Sequence, residues 1–502
     1  MANDLFLGSR SHDLETAEYL PLKYANRHGL IAGATGTGKT VTLQGLAEGF
    51  AREGVSVFVS DVKGDLSGVA EASNMEDFLV KRAETINMKD YTPEAMPVTF
   101  WDLFAEKGLP LRTTLSEVGP ILLSRILDLN DTQEGVVNIA FRLADAEGMM
   151  LLDLKDFRSL LISMGERATE LSLEYGNIST VTIGAIQRKL LQIEDQSGTL
   201  FFGEPALDLK DFVRHDEQGR GYINVLCAEK LIQTPKLYAT FLLWMLSELF
   251  EEFPEAGDSD KPKLVFFFDE AHLLFNDAPK ALLEKIEQVV KLIRSKGIGI
   301  YFVTQNPADI PESVLGQLGN RIQHALRTFT AKQRKAIKLA AQNYRENPEL
   351  DIEDTITALG VGEALVSVLE KKGQPSIVQQ TLLRPPYSKL GPVDEAYRKT
   401  LNTTGVLYEK YGTAIDRESA YEILNKRAEV ATQKAAEAQA AADALEAKEK
   451  QEKEAEKAAK KSGKRKSNRQ SPTEAFVKSM VRKIGTQVGK EIMRGILGAL
   501  KR

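Results

Sequence analysis

The stretch HGLIAGATGTGKT (28–40) fixes more of this chain's architecture than any other. Gly33, four residues, then Gly38, Lys39 and Thr40 match the spacing G-x-x-x-x-G-K-[ST], in which backbone N–H groups wrap a phosphate chain and the lysine reaches its outer phosphates. Leu30, Ile31 and Ala32 supply a short buried strand before the loop, and Val41, Leu43, Leu46, Ala47 and Phe50 follow it at helical spacing. Strand, loop and helix thus stand in the order a P-loop requires. The helix start adds its positive dipole end to the loop amides, and the Thr40 hydroxyl is placed to meet a magnesium ion. Gly33, Ala34, Thr35, Gly36, Thr37, Gly38, Lys39, Thr40 and Val41 are therefore the nucleotide-binding candidates, with ATP and Mg2+ as the cofactors.

A P-loop that hydrolyses its nucleotide needs acids at the end of a second strand. PKLVFFFDEAH (262–272) is an apolar, β-rich run ending in Asp269 and Glu270, the placement of a Walker B pair: Asp269 for the metal, Glu270 to polarise the attacking water. Two adjacent acids inside a core would be costly without such a use. A helix follows from Lys280 to Lys296 with Leu282, Ile286, Val289 and Ile293 on one face, leaving Arg294 at the edge of that stripe. Arg294 reads either as a surface residue or as a guanidinium delivered to a γ-phosphate, often from another subunit, a contribution worth ~10³–10⁵ in rate. Gln305 closes the next strand, either as a plain strand end or as the group that senses the γ-phosphate or orients water. VSVFVSD (55–61) is another buried strand, so Asp61, Lys63 and Asp65 fall at a strand's carboxyl end, where ligands bind in open α/β sheets and where solvated turns are equally at home.

Candidate strands recur at 221–229, 297–305, 321–329, 363–370 and 375–383, and KLYATFLLWMLSELFEEF (236–253) reads as a largely buried helix. Strands alternating with helices predict an α/β fold: a RecA-like P-loop core with a mainly parallel sheet. Residues 1–101 form its first part, 102–215 a mainly helical insertion, and 216–395 its second part. The segment 396–470 is a charged helical extension with a basic linker, and 471–502 a basic amphipathic helix with Phe476, Met480, Ile484, Val488, Ile492, Ile496 and Leu500 on its apolar face. No a/d seam persists in the alanine-, glutamate- and lysine-rich part, which argues against a strong coiled coil.

Across 502 residues, 43% of them hydrophobic, a sizeable core is available. One cysteine, Cys227, excludes an internal disulfide, the start MANDLFLGSR has no signal-like h-region, and no apolar run reaches the roughly 18 residues that cross a bilayer, so a cytoplasmic protein without a transmembrane segment is expected. The net charge of -6 hides an asymmetry: residues 450–502 hold 16 Lys and Arg against 5 Asp and Glu, a net +11 that leaves the remainder at -17. An acidic body neither supports nor excludes a nucleic-acid partner, because a basic pore is a local property.

DEAH at 269–272 also invites a DEAH-box helicase, but Lys39 and Asp269 lie 230 positions apart, and the S-A-T and Q-R-x-G-R-x-G-R boxes are absent. His272 then reads as a packed or supporting histidine. Instead LIAGATGTGKT, LVFFFDEAH, VVKLIRSKGIGIYFVTQNPADIP and QLGNRIQHALR together resemble the HerA/FtsK class of P-loop motors, most nearly its bacterial HerA-like, YjgR-type group. The resemblance covers roughly 8–70 and 220–390 and implies a hexameric ring that couples ATP hydrolysis to DNA translocation or helicase-type work. It matches Lys39 and Thr40 to Walker A, Asp269 and Glu270 to Walker B, Gln305 to the strand-end glutamine and Arg294 to an arginine acting across subunits; Arg321 and Arg327 are placed less firmly. HerA proper carries a β-barrel before its P-loop, whereas Gly33 here leaves room for a short lead-in. The alternative is an ATP-switched scaffold whose basic tail docks a protein partner.

Overall fold

The computed structural model describes residues 4–461 apart from 90, 196–197, 258, 276–279 and 328–330. Twelve strands form one sheet: β1 (Asp4–Arg10), β2 (Asp13–Pro21), β3 (Gly29–Ala32), β4 (Ser56–Asp61), β5 (Val98–Asp102), β6 (Leu109–Pro110), β7 (Ile223–Cys227), β8 (Leu264–Phe268), β9 (Ile298–Thr304), β10 (Asn320–Gln323), β11 (Glu363–Ser367) and β12 (Gln379–Leu383). Their order is β2-β1-β12-β11-β10-β3-β9-β8-β4-β7-β5-β6. From β10 through β6 every pairing is parallel, with Ile31 opposite Val303 and Ile322, and Val59 opposite Phe267 and Val225. From β10 back to β2 every pairing is antiparallel.

Strands β3, β4, β7, β8 and β9 are buried along their whole length. Helices lie over both faces of such a parallel sheet, which is why these strands read as unbroken apolar runs rather than as alternations. On one face the helix Lys39–Arg52 after the P-loop brings Phe50 against Phe267 and Tyr301, with ring centroids 6.2 and 5.9 Å apart. That helix is also tied to the chain after β12. Its buried Glu48 accepts hydrogen bonds from the backbone N–H groups of Tyr387 and Ser388, both at 2.9 Å, and Gln44 donates to the Ser388 hydroxyl at 2.6 Å. The helix Pro235–Glu252 buries Phe241, Trp244 and Met245, although it carries Pro at its first turn, a position where the missing N–H costs nothing.

Between β6 and β7 the described residues include five α-helices, Leu115–Ile126, Asp131–Ala146, Leu154–Glu166, Ala168–Tyr175 and Thr180–Glu194. Capping boxes at Thr114, Asn130 and Asp153 fix where the first three begin. Residues 4–417 pack as one unit, in which Tyr411 meets Trp101 with ring centroids 5.6 Å apart. The second unit is described over residues 418–461, where one helix, Ala420–Lys461, carries 42 residues and extends about 63 Å at 1.5 Å per residue. Its side chains are largely exposed. The expected amphipathic segment 471–502 lies outside the described residues.

Two expectations need correction and a third is filled in. Of the described part of the run 321–329, only residues 321–323 lie in the sheet, within Asn320–Gln323; the bond from the His324 N–H to the Ala32 carbonyl closes the ladder where β3 turns into the P-loop. The helix from Lys280 ends at Leu292, and residues 293–296 tighten into a 3-10 turn stopped by Gly297 in the left-handed region. The lead-in before Gly33 is a bulged hairpin, β1 with β2, whose β1 edge pairs with β12.

Candidate functional site

The P-loop leaves the carboxyl end of β3 between two neighbouring strands. Gly33 donates its N–H to the Thr304 carbonyl at the end of β9, and Ala34 donates to the Ala325 carbonyl just beyond β10. A side chain at Gly33 would drive its Cβ to 2.4 Å from the Cβ of His324. Gly38 has φ +105 at the helix start, a conformation that strains any residue with a Cβ. The buried His324 braces the loop from beneath, with its Nε2 2.9 Å from the Thr42 hydroxyl. Thr35 and Gly36 form the exposed tip, while Lys39 is buried and donates from Nζ to the Ala34 carbonyl at 3.0 Å. Burial lowers the affinity of the Lys39 amine for its proton, and the nearby Lys63 ammonium acts in the same direction.

Asp269 and Glu270 follow β8, two strands over. Asp269 is buried, and its Oδ2 has no hydrogen-bond partner among the described residues. Burial, and then the neighbouring Glu270 charge, push its carboxyl up to about 6. Glu270 occupies the left-handed region at φ +48 and is held from several sides. Lys63 Nζ lies 2.5 Å from Oε1, the Gln305 amide donates at 3.2 and 3.3 Å, and His272 Nδ1 lies 3.3 Å from Oε2. Burial alone would raise the Glu270 carboxyl, but the bonded Lys63 and Gln305 bring it below the usual range.

The loop after β4 completes the cluster. Asp61 is buried and accepts N–H groups from Lys63 at 3.3 Å, Gly64 at 2.7 Å and Leu66 at 3.1 Å. Burial, and then the charge of Asp65, push Asp61 up to about 7. Asp65 lies beside the Thr40 hydroxyl, burial raises its carboxyl against the pull of Lys63, and its Oδ1 has no partner among the described residues. The donor set fits magnesium and a nucleotide polyphosphate: the Thr40 hydroxyl and the partnerless buried oxygen of Asp269 are hard oxygen ligands, beside a lysine and a cradle of loop amides. The sequence sets Lys63 and Asp65 at a ligand-binding edge without a role for either, and it does not single out His324. Position after a buried strand was the available signal for the first two, whereas a lone histidine in RIQHALR offers none.

The structure brings together Gly33 to Val41, Asp269, Glu270 and Gln305, but not Arg294. Arg294 lies before β9 begins, so it stands at the amino edge of the parallel sheet, opposite the P-loop. Its exposed side chain lines a cavity of about 320 Å³ with Arg27, His28, Lys291 and Arg321. The Arg321 guanidinium is spent within the subunit, donating to the Leu318, Asn343 and Leu315 carbonyls at 3.0, 2.8 and 3.0 Å. Arg327 donates to the Thr357 carbonyl at 3.2 Å.

No helix among the described residues is long and apolar enough to cross a membrane. Among solved structures, VirB4 of Thermoanaerobacter pseudethanolicus is 16% identical, covering 76% of this chain and 97% of its own, with a TM-score of 0.48. The bacterial conjugative coupling protein TrwB, in an unbound form, is 14% identical, covering 73% of this chain and 86% of its own at a TM-score of 0.45. TrwB in complex with ADP and Mg2+ is 15% identical, covering 74% and 89% at 0.44. No curated protein matches the chain. The family described as Helicase HerA-like C-terminal matches residues 8–502, and with nearly the whole chain inside that match, this protein belongs to the HerA-like family of P-loop ATPases.

Proposed function

We propose that the protein is a magnesium-dependent ATPase working as a ring, with hydrolysis coupled to movement along DNA. The observation that carries the reading is the division of the machinery: loop, acids and glutamine at one edge of the sheet, and an exposed arginine at the other. A single RecA-like core has no second motor domain to supply that arginine, so a neighbour in a heterologous ring does. Family membership supports six subunits as the arrangement to test.

Bound magnesium-ATP supplies the polarised terminal phosphate and its leaving group. Each residue then has one task. The amides of Ala34 to Thr40 and the Lys39 ammonium hold phosphate charge, and the Thr40 hydroxyl and Asp269 hold the metal. Glu270 takes the proton of the attacking water, and Gln305 keeps the carboxylate aimed. Arg294 of one subunit places its charge against its neighbour's site.

A second reading, an ATP-switched scaffold, is favoured by one observation, the net +11 confined to residues 450–502. Steady-state ATP hydrolysis with and without duplex DNA, by the full chain and by a chain lacking residues 450–502, decides between them. Stimulation of the shortened chain at near-physiological salt supports the motor. DNA binding that requires the tail and leaves turnover unchanged supports the scaffold.

A further inference from the structure

Lys63 is the one cation that touches the proposed base, and the ATPase reading gives it no task. Its ammonium is 2.5 Å from Glu270 Oε1, and the two side chains are unequally exposed: 44% for Lys63 and 5% for Glu270. The carboxylate is the fixed partner and the ammonium the one free to leave. The backbone beneath Lys63 is anchored, because Asp61 gathers the N–H groups of Lys63, Gly64 and Leu66. Gly64 sits at φ +79, where a residue with a Cβ would be strained. With the backbone held through Asp61, the exposed lysine side chain is the part left free to swing. When it departs, Glu270 keeps the Gln305 amide and remains aimed. Lys63 and Lys39 also stand close enough for their charges to oppose each other, an arrangement that a polyanion between them would relieve.

We propose that Lys63 is a positioning residue that clamps Glu270 and exchanges that carboxylate for a γ-phosphate, so that one side chain couples arrival of the terminal phosphate to release of the base. The proposal rests on the ATPase reading. ADP lacks the group that draws Lys63 away, so the clamp distinguishes the two nucleotides and keeps the base occupied after phosphate has left.

The test is equilibrium binding of ADP and of a non-hydrolysable imidodiphosphate analogue of ATP, both with magnesium, to the full chain. Lys63→Ala is expected to weaken the analogue about tenfold, the size of one lost charge-assisted hydrogen bond, and to change ADP binding less than about twofold. Lys63→Arg should keep most of the preference. Glu270→Ala should tighten the analogue by freeing the lysine, and should do so distinctly less in the Lys63→Ala background. Equal weakening of both nucleotides, or an unchanged ratio, overturns the clamp. If the unaltered chain still hydrolyses ATP in that case, only the role of Lys63 falls; if it neither binds nor hydrolyses ATP, the ATPase reading falls with it.

Discussion

Lys39 follows the carboxyl end of β3, and Arg294 precedes the amino end of the adjacent parallel strand β9, so the two residues occupy opposite edges of one sheet. One subunit cannot close that gap without unpairing its central strands. In the ring proposed above a second copy closes it, the amino edge of one subunit set against the carboxyl edge of the next.

Mixing separately inactive subunits tests this directly. Arg294→Ala and Lys39→Ala proteins, each with little turnover alone, should recover hydrolysis when combined, since in a random equal mixture roughly a quarter of interfaces join an intact loop to an intact arginine. No recovery after subunit exchange, or full activity from a strict monomer, would remove Arg294 from its neighbour's site.

Replacing Glu270 by Gln keeps the shape of the side chain and removes the base. Turnover should fall by about 10²–10⁴, while ATP stays bound in filter-binding or fluorescence measurements. Undiminished hydrolysis would sink the assignment.

Asp269→Asn should raise the magnesium concentration needed for half-maximal hydrolysis by at least about tenfold, and chelation with EDTA should abolish turnover of the unaltered protein. The partnerless Oδ2 is the reason to expect a large effect from so small a change. An unchanged magnesium titration would place the metal elsewhere.

Two buried histidines give the fold an acid limit. Burial brings both His28 and His324 to about 4, with the nearby Arg294 and Lys39 charges acting in the same direction. Their unfolded-state value of about 6.5 is higher, so the unfolded chain binds more protons below it, and stability present above pH 6.5 is lost as pH falls toward 4, by up to about 3 kcal/mol for each. Thermal melts from pH 7 to 4.5 should show the loss, and His324→Gln should flatten it relative to the unaltered protein. Parallel pH profiles for the two would contradict the assignment.

Which parts of this architecture could be read ahead of the structure follows from what each strand faces. β8 (LVFFF) and β9 (IGIYFVT) are buried on both faces, so their sequences are runs of apolar residues that nothing else imitates. β1 and β2 are a hairpin near the sheet's antiparallel end, and DLETAEYLP, half of it open to solvent, carries no such run. The P-loop was legible because its glycines serve its own backbone. The clamp on Glu270 was not, because Lys63 and Glu270 are far apart in the chain and meet only through the pairing of β4 with β8. Arg294 stands out in the sequence by residue type and place, but its remoteness from the P-loop is a fact of strand direction, which spacing does not encode.

The interleaved strand order also governs when the enzyme can first work. Lys39 emerges early in synthesis, yet β9, which pairs with β3 in the finished sheet, and β8 beyond it, with Gln305, Asp269 and Glu270 at their ends, come more than two hundred residues later. At roughly 5–20 residues per second, about ten to fifty seconds separate the two during translation. On the proposed assignment a nascent chain carries the loop before its base and its metal acid exist, so hydrolysis waits until the central strands have paired.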